Sequence, residues 1–72
     1  MYLHIGNDFI IDTRNIIGIF NLETVNKNES NKIIKVCEDN EKSSILYRKE
    51  NEIIEYITNI STTTLLKRIN MY

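Results

Sequence analysis

Three short apolar segments separated by two polar reversals occupy the first third of the chain, from Met1 to Thr24, and they restrict what the remainder can fold into. The segments are Tyr2–Ile5, Phe9–Ile11 and Ile16–Phe20. The first reversal is Gly6-Asn7-Asp8. Glycine takes positive φ freely, and Asn and Asp tolerate it better than other residues, so the triplet predicts a hairpin. The second reversal is Asp12-Thr13-Arg14-Asn15, which places Arg14 at a turn and off the strand faces.

Read at a period of two, Leu3 and Ile5 share one face of the first strand, with Tyr2 and His4 on the other. Phe9 and Ile11 oppose Ile10 on the second strand. On the third, Ile16–Asn21, Ile16, Gly18 and Phe20 oppose Ile17 and Ile19. Strands two and three are therefore apolar on both faces, and such strands need cover on both. Gly18, inside a strand, predicts a bulge or a close backbone approach.

Cover is scarce in 72 residues. A chain of this size buries only ~60% of the surface it exposes when unfolded, so its own core is marginal. The single cysteine, Cys37, allows no internal disulfide and fits a reducing cytoplasm. One Cys and one His do not make a four-ligand zinc site. Association is the remaining source of stability, and a single domain over residues 1–72 acting as a homo-oligomer is expected.

Leu22–Asn31 is polar and reads as a loop. Lys32–Asp39 is ambiguous. At helical period Ser30, Ile33, Ile34 and Cys37 form one stripe, with Asn28 as a cap; at period two Ile34 and Val36 alternate with Ile33, Lys35 and Cys37. Its Ile and Val content and its shortness favour a strand. A second hairpin follows: Ser44–Arg48, a turn at Lys49-Glu50-Asn51-Glu52 in which Asn51 can take positive φ, and Ile53–Thr58. A helix closes the chain. Ser61 is its N-cap, Ile60 and Leu65 form a staple, Leu65, Leu66 and Ile69 make the apolar stripe, and Lys67 and Arg68 complement the dipole at its end.

Little in the sequence supports catalysis. Cys37 and His4 have the residue types of a nucleophile and its base, but no third, orienting member is identifiable. Lone histidines of this kind are usually surface or contact residues. The two glycines, Gly6 and Gly18, build no phosphate loop. No cofactor or small-molecule substrate is implied. No apolar run approaches the ~20 residues of a membrane span, and the N-terminus has no signal-peptide pattern, so a cytoplasmic protein without membrane contact is expected. The net charge of −1 runs against a dedicated nucleic-acid binder, which is usually basic.

YLHIGNDFII, TRNIIGIFNLET and ISTTTLLKR, in that order, resemble the bacterial extracellular matrix regulators RemA and RemB, and the RemB branch in particular. The resemblance covers most of the chain. It implies a β-rich α+β fold of about six short antiparallel strands with a C-terminal helix. Relatives carry a helix of roughly a dozen residues after the Glu23-Thr24 position; here it is expected to be missing or reduced to a turn within Thr24–Asn31. The resemblance also implies a non-enzymatic regulator that binds double-stranded DNA as a ring-shaped oligomer. Its DNA contacts would come from an arginine before strand three, here Arg14, and from a basic loop, here Glu41-Lys42-Ser43, of which only Lys42 is basic. Beside these stand simpler readings. Arg14 pairs with Asp12 or Glu23, Arg48-Lys49 is a hairpin tip neutralised by Glu50 and Glu52, and Lys67-Arg68 is helix-end charge. An oligomeric scaffold that has lost DNA binding is the alternative function.

Overall fold

The computed structural model describes residues 1–23 and 30–70. Strands β1 (Tyr2–Gly6) and β2 (Phe9–Asp12) form the first hairpin, and a single 3-10 turn, Thr13–Asn15, leads into β3 (Ile16–Asn21). Then come β4 (Lys32–Lys35), β5 (Ser43–Lys49), β6 (Glu52–Thr58) and the helix α1 (Thr62–Asn70). The β-rich α+β class read from the sequence is the one observed, and the ambiguous stretch after Asn31 is a strand. The shortened or missing helix expected within Thr24–Asn31 falls almost wholly outside the described residues.

The six strands divide into two sheets: the β1–β2 hairpin, and a four-stranded sheet in the order β3-β5-β6-β4. All neighbours are antiparallel except β4, which runs parallel to β6. The expectation of antiparallel pairing throughout is corrected there. Val36 extends the β4 ladder by donating its N–H to the Ile57 carbonyl at 2.8 Å. β3 and β4, consecutive in the chain, stand at opposite edges of the sheet.

The hairpin and α1 cover one face of the large sheet. Leu3, Ile5, Ile11, Val36, Ile45 and Leu65 form the core there, with Phe9, Ile16, Ile19, Tyr47, Tyr56, Ile60 and Ile69 packed around them. Phe9 and Tyr47 both meet the Tyr56 ring edge-on, at centroid distances of 6.1 and 5.8 Å. Tyr2, His4 and Ile10 lie on the hairpin's outer side and are exposed; the alternation grouped them correctly, but the Ile10 face of the second strand, expected to need cover, has none from the described residues.

Turn chemistry decides how the hairpin docks. Gly6 has φ +122° and Asn7 φ 47°. A Cβ on Gly6 would sit 3.0 Å from Val36 Cγ1 and 3.2 Å from Thr58 Oγ1, so both its conformation and its close approach require glycine. The Asn7 amide donates to the Val36 carbonyl. The fully buried Thr58 hydroxyl donates to the Ile5 carbonyl at 2.6 Å, and Ser43 donates to the Ile60 carbonyl at 2.7 Å.

In the second hairpin Lys49 faces Glu52 across a two-residue turn, and Glu50, not Asn51, takes the positive φ, 56°. Hairpin twist requires the left-handed conformation at a position, whatever residue the sequence puts there. Ile17 is a bulge in the β3–β5 register, and the Phe20 ring lies over Gly18, within 2.7 Å of where a Cβ would stand. The expected bulge lies beside Gly18, and what approaches the glycine closely is a side chain, not backbone.

Helix α1 is capped as read: Ser61 Oγ accepts from the Thr64 N–H at 3.2 Å, and Leu65 is fully buried. The apolar stripe is narrower than expected. Leu66 is exposed, because one residue further round the helix turns it some 100° away from Leu65.

Candidate functional site

Arg14 sits in the turn between β2 and β3, where Asp12 caps the turn by accepting the Arg14 backbone N–H at 3.0 Å. The same carboxylate holds the side chain in a fork: Nη2 to Oδ2 at 2.7 Å, and Nε to both oxygens at 3.1 Å. This fork, helped by the backbone N–H and opposed by desolvation, holds the Asp12 carboxyl at about 2, well below its ordinary 3.8. Asp12 raises the guanidinium in return, and the phenols of Tyr2 and Tyr47 add smaller contributions. The Met1 ammonium lies 3.9 Å from Asp12. Of the partners read for Arg14 in the sequence, Asp12 is the one observed. The guanidinium remains outermost: the Arg14 side chain is 78% exposed and the Asp12 side chain 14%. Asn15 beside it donates to the Tyr47 hydroxyl at 3.4 Å.

Lys42 lies elsewhere. Ile16 faces Tyr47 at one end of β5, whereas the Lys42 carbonyl accepts from Leu22 just past the other end of β3. Five residues of β5 separate the two positions, roughly 17 Å at ~3.3 Å per residue. One chain therefore does not bring Arg14 and Lys42 together. Lys42 borders an open hollow with Asn21, Glu23, Ser61, Thr62 and Thr63, at the start of α1.

The two ends of the sheet also differ in charge. Among the described residues the Lys42 end has two lysines, Lys35 and Lys42, against Asp8, Glu23, Glu38, Asp39 and Glu41, and Lys35 pairs with Glu41 at 3.1 Å. Among the described residues the Arg14 end has Arg14, Lys32, Arg48 and Lys49 against Asp12, Glu50 and Glu52. Arg48 and Lys49, read in the sequence as a neutralised tip, thus share an end with Arg14. Nothing local in the sequence reveals this, because it depends on the register of β3 against β5.

Of the other residues singled out, His4 and Arg68 have structural partners. His4 Nε2 donates to the Asn7 carbonyl at 2.6 Å. Arg68 donates to the His4 carbonyl at 2.8 Å and ties α1 to β1. Cys37 is half-buried with a free thiol. Among the described residues no cluster of three His, Cys, Asp or Glu side chains is placed to hold a metal, and no helix is long and apolar enough to cross a membrane.

Sequence reasoning missed Glu55. It lies on the sheet face away from the hairpin, between Ile53 and Ile57 along β6, and faces Leu46 and Ile33 across it. It is only 6% exposed, and its carboxylate accepts from Ser44 at 2.6 Å and Ser30 at 3.4 Å. The available signal was a lone carboxylate flanked at i±2 by isoleucines.

The fold and these sites define a small β-rich domain whose charged groups gather at strand ends. No protein-family model and no solved structure matches the chain. A curated relative does: the chain is 33% identical over 76 aligned positions to extracellular matrix regulatory protein B of Bacillus subtilis (strain 168), covering 94% of this chain and 89% of that protein. The chain belongs to the RemA/RemB family of extracellular matrix regulatory proteins, on the RemB-like side, and its relative carries the name of a regulatory protein, not of an enzyme.

Proposed function

We propose that this chain is a regulatory protein that binds double-stranded DNA without catalysis, acting as an oligomer in the cytoplasm, with Arg14 as its principal contact. The observation that carries the reading is the placement of Arg14. Its side chain is 78% exposed on a turn, at the sheet end where, among the described residues, four cations stand beside three carboxylates. The fork to Asp12 uses Nε and Nη2, and the exposed guanidinium still has Nη1 to offer a phosphate. Lys42 joins such a surface only if a neighbouring subunit supplies it, because in one chain the two lie at opposite ends of the sheet. Many weak contacts repeated by symmetry would then replace one strong site.

A second reading, an oligomeric scaffold that has lost DNA binding, has its own support. Asp12 neutralises Arg14, and the Lys42 end is acidic. Fluorescence anisotropy of a labelled AT-rich duplex, titrated with protein at two salt concentrations, separates them. DNA binding predicts an affinity that falls steeply with salt and is lost in Arg14→Ala. Binding that survives Arg14→Ala keeps the function and discards the contact. No binding at micromolar protein favours the scaffold.

A further inference from the structure

The tip between β5 and β6 carries two adjacent cations, and strand alternation sends them to opposite faces of the sheet. Tyr47 packs against the core on the hairpin side, so Lys49, two residues further along β5, leans to that side as well. Arg48, between them, leans to the other face, in the row of Leu46. Register then brings Lys49 near Arg14. The turn that holds Arg14 leads straight into Ile16, Ile16 faces Tyr47, and Asn15 donates to the Tyr47 hydroxyl at 3.4 Å. Arg14 is forked to Asp12 of the hairpin, which places it on the hairpin side too, and the Tyr47 phenol is close enough to help raise its guanidinium. Lys49 stands beyond Tyr47 by roughly 7 Å, at ~3.3 Å per residue. It is exposed, and a two-residue turn with Glu50 at φ 56° sets its backbone. Among the described residues the ion pairs are Met1–Asp12, Arg14–Asp12 and Lys35–Glu41. Neither Glu50 nor Glu52 pairs with Lys49, although Glu52 faces it across the turn.

We propose that Lys49 is a second phosphate contact for duplex DNA, made by the same chain as Arg14 and on the same side of the sheet. The proposal rests on the DNA reading above and adds to it a residue and a face. A lysine ammonium is a compact point charge that meets a phosphate oxygen without the fork geometry a guanidinium uses, so Lys49 complements an Arg14 already part-occupied by Asp12. Phosphates follow one another along a strand, and cations several ångströms apart hold neighbouring ones. The wider charge distribution favours the same approach. Lys35 and Lys42 are outnumbered by carboxylates at the opposite end of the sheet, which repels a duplex, whereas the Arg14 end does not. With Lys49 in this role, one chain supplies two contacts without Lys42.

Arg48 is the internal control, because it removes the same charge from the same tip on the other face. Anisotropy titrations of a labelled AT-rich duplex over a range of salt test the proposal on the full chain, Lys49→Ala, Lys49→Arg, Arg48→Ala and Arg14→Ala, with circular dichroism to check folding. Lys49→Ala should weaken binding about fivefold or more and reduce the slope of log affinity against log salt by ~0.9 for each subunit engaged. Lys49→Arg should keep the slope, and Arg48→Ala should cost about twofold at most. Equal losses in Lys49→Ala and Arg48→Ala mean that the tip acts through net charge alone and overturn the proposal. Binding lost in Arg14→Ala yet unchanged in Lys49→Ala overturns it and keeps the DNA reading. Binding weakened by Lys49→Ala and indifferent to Arg14→Ala supports this contact and discards Arg14. A chain that binds no duplex at micromolar concentration ends both.

Discussion

Replacing Thr58 by valine tests what holds the first hairpin to the sheet. Thr58 is fully buried, and valine matches its shape. The hydroxyl donates to the Ile5 carbonyl at 2.6 Å and accepts from the Ile60 N–H at 3.3 Å, so one side chain links β1, β6 and the entry to α1. Valine withdraws both bonds at a site closed to water. A buried polar group deprived of its partner costs about 1–3 kcal/mol, and with the Ile60 bond long and weak the total is about 2–3 kcal/mol. A domain of this length has a stability of roughly 4–11 kcal/mol, so the loss is a substantial fraction of it. At about 4–8 °C per kcal/mol it corresponds to a Tm lower by roughly 10–20 °C. Thr58→Ser keeps the hydroxyl, deletes a methyl group and should cost about 1 kcal/mol. Urea unfolding followed by circular dichroism, at one fixed protein concentration, measures both. If Thr58→Val proves as stable as the unmodified chain, or Thr58→Ser less stable than Thr58→Val, methyl packing holds the hairpin and the hydrogen-bond argument fails.

Gly6→Ala should destabilise by about 2 kcal/mol or more, because φ +122° is strained for any L side chain and the new Cβ meets Val36 Cγ1 at 3.0 Å; an unchanged urea midpoint would contradict the docking geometry. Asp12 has a depressed carboxyl, so its contribution to stability is complete above its ordinary value of 3.8 and is lost as the pH falls through about 2. An NMR titration of the Asp12 carboxyl should place its midpoint near 2, and in Arg14→Ala the midpoint should rise toward 3.8.

The elements were largely legible in the sequence because the forces that define them are local. Period-two alternation sorted Leu3, His4, Phe9, Ile10 and Ile11 onto the right faces, and packing decided which face turns inward. The Gly6 turn and the Ser61 cap carry their own chemistry. Where local rules failed, a longer-range constraint intervened. Asn51 is the better left-handed residue, yet the register of β5 against β6 puts that conformation on Glu50. Leu66 joined the helical stripe by composition, yet it points away from the single face that packs. Glu55 and Thr58 look like ordinary strand residues, and their burial depends on neighbours distant in the chain.

What the sequence determined by itself was the inventory: six β-forming segments, two tight hairpins, a capped terminal helix, a core too small to be generous, and motifs that matched the RemA/RemB family. These follow from backbone preferences and side-chain alternation over a few residues. Tertiary structure alone decided that β4 runs parallel to β6, that Arg14 and Lys42 stand at opposite ends of the sheet, and that Arg14 is gripped by Asp12. Each of these depends on pairing between strands far apart in the chain, and neither the composition of a segment nor its periodicity encodes which partner it meets.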